Sequence, residues 1–392
     1  MDGEAAAGVD GGKGGRRRRV QPSSNHRVIS CFPLAGNSGD KPAVDGGDAS
    51  RPMPTHLVVT INGIIGSADN WRFAAKQFVK RYPKDVIVHC SDCNYATLTF
   101  DGVDVMGERL AKEVRLVVKR KPELRKISFI CHSLGGLVAR YAIGRLYERS
   151  FIKDCSDENG LCKIQKHDES TKQKLKGKIS GLEPINFITF ATPHLGSRFH
   201  KQIPILRGSY ALEKMASRIS GIAGRSGKHL FLKDHDDGKP PLLFQMLTDS
   251  GDLNFMSALG SFQRRVAYSN VQYDFIVGWK TSSIRHQHEL PKHSNFIKNE
   301  TYPHVVYVEK PMNTDVEQED SLKTMIYDSK SPARMEELMI KALNRVPWER
   351  VDVSFRRSKQ RVFAHSTIQV KSKLLNSDGA DVVFHMIDNF LL

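Results

Sequence analysis

Short apolar runs alternate with longer amphipathic segments along the middle of the chain. The runs are rich in Val, Ile and Phe, as in strands that are buried on both faces of a parallel sheet. Between them, apolar residues recur at helical spacing, from Asp69 or Asn70 to Tyr82 and from Val103 to Val118. We therefore predict an α/β fold with a mostly parallel sheet and right-handed crossovers. The predicted strands are His56–Ile61, Asp85–Cys90, Ile127–Cys131, Ile185–Ala191, Arg265–Asn270 and Arg350–Phe355.

The same patterns predict the domain organisation. Residues 1–52 combine glycine runs and a cluster of arginines with little apolar content, which predicts a disordered basic arm. Residues 53–392 are predicted to form one domain with insertions at about 150–182, 199–262 and 284–345. The first insertion is polar and rich in lysine. The second is apolar and lies between two predicted strands, so it could be a cap or lid or a set of core helices.

One strand ends abruptly in a motif typical of nucleophilic serines. The apolar run stops at His132 and Ser133, and Gly135 and Gly136 precede a helical pattern. Such a strand, turn and helix exposes the serine hydroxyl at the carboxyl end of a sheet, where small neighbours are needed. In the pattern G-x-S-x-G, Cys131 occupies the first glycine position, which a small residue can fill. The alternative is a serine that only caps the helix.

A second glycine-containing loop follows the first predicted strand. Asn62 and Gly63 end that strand, and we expect the backbone N–H of Ile64 to point outward as an oxyanion donor, with Ile65 as its close competitor. The second donor is expected to be the N–H of Leu134, directly after the serine. The loop could also be an ordinary turn from a strand to a helix.

A triad needs an acid and a histidine in addition to the serine. In this type of fold, the acid follows a later strand and the histidine follows the last one. Asp274 lies directly after the fifth predicted strand, whereas the competing Asp249 and Asp252 precede it. His365 lies in the loop after the last predicted strand, whereas His385 lies in an apolar segment that predicts a packing helix. We therefore predict Asp274 as the acid and His365 as the base.

A third motif follows the fourth predicted strand, at residues 192–197. Its histidine, His194, precedes the predicted acid along the chain, which is the wrong order for the base. We therefore predict a structural role for His194, or a role with Leu195 in lining a pocket.

Taken together, these motifs resemble the serine esterase family of lipase-like α/β hydrolases, in a form typical of plant and fungal proteins. The resemblance covers about residues 55–285 and rests on the Asn62-Gly63 loop, the His132–Gly136 turn and the Ala191–Ser197 turn. It implies an α/β-hydrolase fold, points to Asp274 as the acid, and favours lipid esters as substrates.

Composition and charge bear on which partners the protein could bind. The chain has 59 Lys and Arg against 43 Asp and Glu, a net charge of +16, which suits an anionic membrane surface, nucleic acid or simple solubility. No aromatic and basic nucleic-acid motif is present, so we expect no nucleic acid. The sequence contains no run of 18 apolar residues, so we expect no transmembrane helix.

The spacing of the cysteines gives predictions about the location of the protein in the cell and about metal binding. Their irregular spacing and the absence of a secretory segment favour an intracellular, cytoplasmic location, and plastid targeting stays open. Cys90 and Cys93 have zinc-like spacing, but Cys155 and Cys162 do not complete a common zinc motif, so we expect neither metal nor cofactor.

The sequence therefore predicts a serine hydrolase that cleaves carboxylic esters, with lipid esters as the favoured substrates. Two alternatives stay open, an acyl-protein or acyl-CoA thioesterase with the same triad and a non-catalytic scaffold that binds a lipid or a protein.

Overall fold

The structure is a computed structural model, and it describes residues 53–149, 177–197, 224–235, 239–312 and 331–392. The predicted disordered arm, residues 1–52, lies outside the described residues and stays a prediction. The strands and helices below are numbered in chain order over the described ranges.

Within the described residues, seven strands form one sheet in the order β10-β11-β9-β6-β3-β1-β2. All neighbouring strands are parallel except β10 and β11, which are antiparallel. Two short antiparallel pairs, β4 with β5 and β7 with β8, lie outside this sheet. The strands are β1 His56–Ile61, β2 Val86–Cys90, β3 Lys126–His132, β4 Tyr147–Glu148, β5 Lys178–Ile179, β6 Glu183–Phe190, β7 Asp249–Ser250, β8 Leu253–Asn254, β9 Arg264–Asn270, β10 Val305–Glu309 and β11 Glu349–Val353.

Helices cover both faces of the sheet, because the central strands bury the side chains of both faces. Along β1, for example, Leu57 and Val59 pack in one core cluster, and Val58 packs in the other. The first cluster includes α2, α3, α6 and α8, and the second includes α1 and α10. The helices are α1 Arg72–Arg81, α2 Val103–Arg120, α3 Leu134–Leu146, α4 Gly224–Leu230, α5 Leu242–Gln245, α6 Phe255–Ser261, α7 Trp279–Ser283, α8 Pro332–Leu343, α9 Ala364–Thr367 and α10 Ala380–Asp388.

The predicted insertions differ from the structure where their described parts enter the core. Residues 150–176 lie outside the described residues, but Ile179, within the predicted polar insertion, is fully buried. In the predicted cap or lid, residues 198–223 and 236–238 lie outside the described residues, whereas Phe244 and Leu259 are fully buried in the core around α3. The described stretch 239–262 therefore matches the core-helix alternative, because its apolar side chains pack in the core.

The third predicted insertion, 284–345, is also part of the fold at both of its ends. Strand β10 is the edge of the main sheet, and Met339 of α8 is fully buried in the core. Residues 313–330 lie outside the described residues. The sequence pattern indicates a strand at residues 302–308 and a helix at residues 335–343 within this otherwise irregular region, and β10 and α8 overlap these two ranges.

A buried ionic network ties this edge of the sheet to α7. Asp352 of β11 is fully buried and accepts hydrogen bonds from both Arg285 Nη1, at 2.9 and 3.0 Å, and Trp279 Nε1, at 2.7 Å. Arg285 also pairs with Glu309 of β10, at 2.9 Å. Glu309 in turn pairs with Arg350. The network thus joins β10, β11 and the segment after α7.

We expect Asp352→Asn to lower the free energy of unfolding by about 3 kcal/mol, because it leaves the buried Arg285 guanidinium without one of its two carboxylates. The measurement is urea-induced unfolding at neutral pH. The control is Glu337→Gln, which breaks an exposed pair with Arg334 and should change the free energy by less than about 0.5 kcal/mol. Equal losses in both variants would contradict this account of the network.

None of the described helices is both long enough and apolar enough to cross a bilayer.

Candidate active site

The candidate nucleophile sits on a strained turn between β3 and α3. Ser133 has φ 53° and ψ −129°, a backbone conformation that residues with a side chain rarely adopt. Its N–H donates to the carbonyl of Phe190 on the neighbouring β6, at 2.9 Å, which holds the turn against the sheet. This geometry is the sharp strand-to-helix turn that the sequence predicted, and strain of this kind is concentrated at functional sites.

The glycines around the turn are required by close backbone approach. A Cβ on Gly135 would lie 2.5 Å from the carbonyl oxygen of Asn62, and one on Gly63 would lie 2.8 Å from Ser133 Cβ. A Cβ on Gly136 would collide with the side chain of Thr192. The predicted loop and the predicted turn are therefore in direct contact, and only glycine allows them to approach so closely.

The predicted acid and base lie beside this serine. Nε2 of His365 is 3.0 Å from Ser133 Oγ, and Nδ1 of the same ring is 3.0 Å from Oδ2 of Asp274. His365 lies in α9, the short helix that follows β11, and Asp274 lies in the loop that follows β9. The fold thus brings together three side chains that are 91 and 232 residues apart along the chain.

The carboxylate of Asp274 is itself held by three donors. Asn270 Nδ2 donates to Oδ2 at 2.9 Å, and the N–H groups of Ile276 and Val277 donate to Oδ1 at 3.0 and 2.8 Å. Burial alone would raise the pKa of Asp274, but the facing His365 and these hydrogen bonds lower it below the ordinary range. The carboxylate is therefore charged and fixed in orientation. The role of Asn270 was missed, because the sequence has no signal for a contact four residues before the acid.

The competing candidates have other contacts. Asp249 accepts hydrogen bonds from the N–H groups of Met256 and Ser257 at the start of α6, which is a helix-capping role. Asp252 is exposed in the turn between β7 and β8. His385 is hydrogen-bonded to Tyr268 at 2.9 Å in the core.

His194 and Leu195, which the sequence predicted as structural or pocket-lining residues, contact residues outside the proposed triad. His194 is fully buried, bonds to Thr189 Oγ1 at 3.0 Å and packs on the Trp348 ring. Leu195 donates its N–H to Thr281 Oγ1 at 3.0 Å. Neither residue has a recorded hydrogen bond or ring contact with Ser133, Asp274 or His365.

In the loop after β1, the backbone N–H of Ile65 has a hydrogen-bond acceptor among the described residues and that of Ile64 does not. The N–H of Ile65 donates to Thr99 Oγ1 at 2.9 Å. Within the described residues, the N–H groups of Ile64 and Leu134 have no recorded acceptor. Asn62 holds the loop by donating through Nδ2 to the carbonyls of Gly63 and Asn94, both at 3.0 Å. This pattern favours Ile64 over its competitor as an oxyanion donor.

His132, predicted only as support for the turn, also contacts the histidine of the site. Its Nε2 donates to the backbone carbonyl of His365 at 2.7 Å, and the two rings lie 4.7 Å apart. Burial, with a smaller effect of His365, lowers the pKa of His132 well below its ordinary value, so the ring is neutral. The residue before Ser133 therefore fixes the backbone of the histidine that faces Ser133.

The zinc alternative gains no support from the described part of the chain. No group of three or more His, Cys, Asp or Glu side chains lies close enough there to hold a metal ion. Cys155 and Cys162 lie outside the described residues.

Comparison with known protein families identifies the chain. The family described as "Putative serine esterase (DUF676)" matches residues 51–284, which is more than half of the chain. The chain belongs to this family. The sheet with its serine turn is the α/β-hydrolase fold, as the sequence predicted, and the predicted family is confirmed.

The chain is also similar to proteins of yeasts. The chain is 30% identical over 235 residues to Putative lipase ROG1 of Saccharomyces cerevisiae, a match that covers 58% of this chain and 28% of that protein. It is 24% identical over 238 residues to Putative lipase C4A8.10 of Schizosaccharomyces pombe, which covers 59% of this chain and 26% of that protein. The match thus spans less than a third of the length of these relatives.

Solved structures with a similar outline are more distant in sequence. An esterase of Thermogutta terrifontis, Est2 with bound butyrate, has 12% identity and a TM-score of 0.34, with 83% of this chain and 84% of that chain covered. The propeptide form of the Bacillus licheniformis lipase BlEst2 has 16% identity and a TM-score of 0.32, with 58% and 38% covered.

Proposed function

We propose that the protein is a serine hydrolase that cleaves carboxylic esters, with lipid esters as its substrates. The observation that carries the proposal is the continuous hydrogen-bonded series from Ser133 through His365 to Asp274 on the strained turn after β3. Membership of a serine esterase family and the lipase names of its relatives support the substrate class.

In the first half of the reaction, His365 Nε2 accepts the proton of Ser133 as Oγ bonds to the acyl carbon. The charge that develops on the carbonyl oxygen would be stabilised by the N–H groups of Ile64 and Leu134. Asp274 accepts a hydrogen bond from the Nδ1–H group of His365, which keeps Nε2 free to take the serine proton and stabilises the imidazolium that forms. Collapse of the tetrahedral adduct breaks the ester bond, and the leaving alcohol takes its proton from His365.

In the second half, water replaces the alcohol. His365 takes a proton from the water as its oxygen bonds to the acyl carbon of the acyl-enzyme. Collapse of this second adduct breaks the bond to Ser133 Oγ, which recovers its proton from His365. The products are the carboxylic acid and the starting enzyme, and no cofactor enters the balance.

A fluorophosphonate probe tests the nucleophile directly, because it reacts with activated serines. We expect the full chain to be labelled, and we expect Ser133→Ala to lose all labelling. The matched control is Ser180→Ala, which also replaces a serine at positive φ, but in the turn between β5 and β6, and should label like the wild type. Persistent labelling of Ser133→Ala, or an unlabelled wild type with folded-state circular dichroism, would refute the proposal.

Rates on matched oxygen esters and thioesters separate the proposed activity from a thioesterase with the same triad. We expect the wild type that has not been treated with the probe to cleave the oxygen ester at an appreciable rate. Turnover of the thioester alone would replace the substrate class and leave the assignment of the nucleophile unchanged.

A further inference from the structure

The segment after β11 carries exposed apolar side chains in two pairs. Val362 and Phe363 are 55% and 54% exposed, and Leu374 and Leu375 are 88% and 58% exposed. Single exposed apolar side chains are common on proteins, but adjacent pairs of large ones are costly to hydrate. These two pairs occur within a stretch of fourteen residues.

Basic residues surround these pairs. Between Asp352 and Asp378 the chain contains six basic residues and no acidic one. Four of the six precede the first apolar pair, and the other two lie just before the second pair. The six are Arg356, Arg357, Lys359, Arg361, Lys371 and Lys373. We call residues 356–375 the basic rim.

Hydrogen bonds join the first part of the basic rim to the residues that directly follow it. Gln360 Nε2 donates to Ser377 Oγ at 3.0 Å, and Gln360 Oε1 accepts the N–H of Asp378 at 3.0 Å. The Asp378 carboxylate accepts from Ser358 Oγ at 2.5 Å. Asn376 further ties the second half to α9 through Thr367 Oγ1, at 3.0 Å. The apolar pairs are therefore exposed on an ordered segment, not on a frayed one.

The basic rim borders the candidate active site. His365 lies within it, two residues after Phe363, and the guanidinium of Arg361 stacks on the ring of Tyr273 at 5.4 Å, next to Asp274 in sequence. The loop after β1 and the loop after β9 each contain an exposed apolar residue as well. Ile276, whose N–H holds Asp274, is 41% exposed, and Ile65 of the loop after β1 is 63% exposed.

We propose that the basic rim, with Ile65 and Ile276, docks on a lipid surface that contains anionic headgroups and thereby presents the site to the membrane. The inserted apolar side chains and the six cations match the two components of such a surface, an acyl region below and negative charge above. An acidic protein or a nucleic acid would match the charge but not four exposed aliphatic and aromatic side chains in pairs. The surface itself is independent of catalysis, and the delivery of substrate from it rests on the proposed function.

The test is flotation of the full chain with vesicles of phosphatidylcholine alone or with phosphatidylserine, in the Ser133→Ala background so that hydrolysis plays no part. We expect binding to the anionic vesicles only, with a strong decrease at high salt. Replacing three cations, as Arg356→Gln with Arg357→Gln and Lys373→Gln, should lower the partition coefficient about 100-fold, at about fivefold for each residue. Leu374→Ser with Leu375→Ser should lower it about tenfold.

Matched controls lie on α2, where exposed residues of the same types occur. We expect binding within about twofold of the parent for Lys112→Gln with Lys119→Gln and Arg120→Gln, which has the same change in net charge. Leu116→Ser is the apolar control, since Leu116 is 53% exposed. Equal losses in the controls, undiminished binding of the rim variants, or equal binding to neutral vesicles would overturn the proposal.

Competition with duplex DNA and with polyglutamate separates the other acidic partners. Release of the protein from anionic vesicles by either polymer, with the same affinity in the Leu374→Ser and Leu375→Ser variant, would overturn a lipid surface in favour of a polyanion. Because flotation uses a protein that lacks the nucleophile, its outcome is independent of the fluorophosphonate result.

Discussion

His365→Ala is expected to lower kcat/KM for a soluble ester by about four orders of magnitude, because, among the residues that the structure describes, His365 is the side chain that is hydrogen-bonded to Ser133 Oγ and can take its proton. The variant keeps the Ser133 hydroxyl and the amides of Ile64 and Leu134, so a small residual rate should remain. The measurement is steady-state hydrolysis of a short-chain nitrophenyl ester by folded protein. The predicted loss corresponds to about 5.4 kcal/mol of transition-state stabilisation, at 1.36 kcal/mol for each factor of ten.

His385→Gln is the matched control for this prediction. His385 is buried against Tyr268 and was the competing candidate for the base. We expect kcat/KM of the control within a few-fold of the wild type at a temperature where both proteins are folded. Full activity of His365→Ala, or a loss of the same size in the control, would disprove the assignment of the base.

Stability is expected to fall steeply as the pH decreases below about 6.5. Burial, and then the nearby Lys126, lower the pKa of His56 to about 3. Burial also lowers the pKa of His132 and of His194 well below the ordinary value. Between each lowered pKa and the unfolded value near 6.5, the unfolded chain binds a proton that the folded chain does not. Unfolding therefore becomes more favourable as the pH falls through this window.

His56 alone is expected to contribute a loss of about 1.4 kcal/mol between pH 6 and pH 5, at about 1.4 kcal/mol for each proton and pH unit, and His132 and His194 add to the loss in the same direction. Carboxylates with a lowered pKa, such as Asp274, add to the loss only near pH 4 and below. The free energy of unfolding, measured with urea at a series of pH values, gives the slope directly.

His56→Gln tests this explanation by removing one of the three groups. We expect its slope between pH 6 and pH 5 to be smaller by about 1.4 kcal/mol per pH unit. The control is His288→Gln, at an exposed position, which should leave the slope unchanged. An unchanged slope in His56→Gln would show that the acid sensitivity has another origin.

The parts of the site that were predictable from the sequence are those with a local backbone requirement. Gly135 and Gly136 are needed because the backbone of the turn after β3 touches neighbouring segments, and such a requirement is written in consecutive residues. Asp274 and His365 followed from topology, since the carboxyl ends of parallel strands meet at one edge of a sheet. Strand order could thus place residues that are far apart in the chain.

The rest depended on contacts that leave no periodic signal. Short apolar patterns at residues 302–308 and 335–343 indicate β10 and α8, but they do not show that β10 pairs with β11 at the edge of the sheet or that α8 packs in the core. The stretch 239–262 has the same apolar composition in a lid as in a core, so only its packing could decide between them. The hydrogen bond from His132 to the carbonyl of His365 joins residues 233 positions apart, and any residue type offers that carbonyl.

During synthesis, Ser133 is translated long before the histidine that it faces in the folded protein. The strained turn of Ser133 can form once β1, β3 and β6 have left the ribosome, but the histidine that faces it is translated more than two hundred residues later. The nascent chain therefore presents a serine without a base, and His132 has no carbonyl to hold. Under the proposed function, the site therefore becomes complete only after His365 has been translated and has packed beside Ser133.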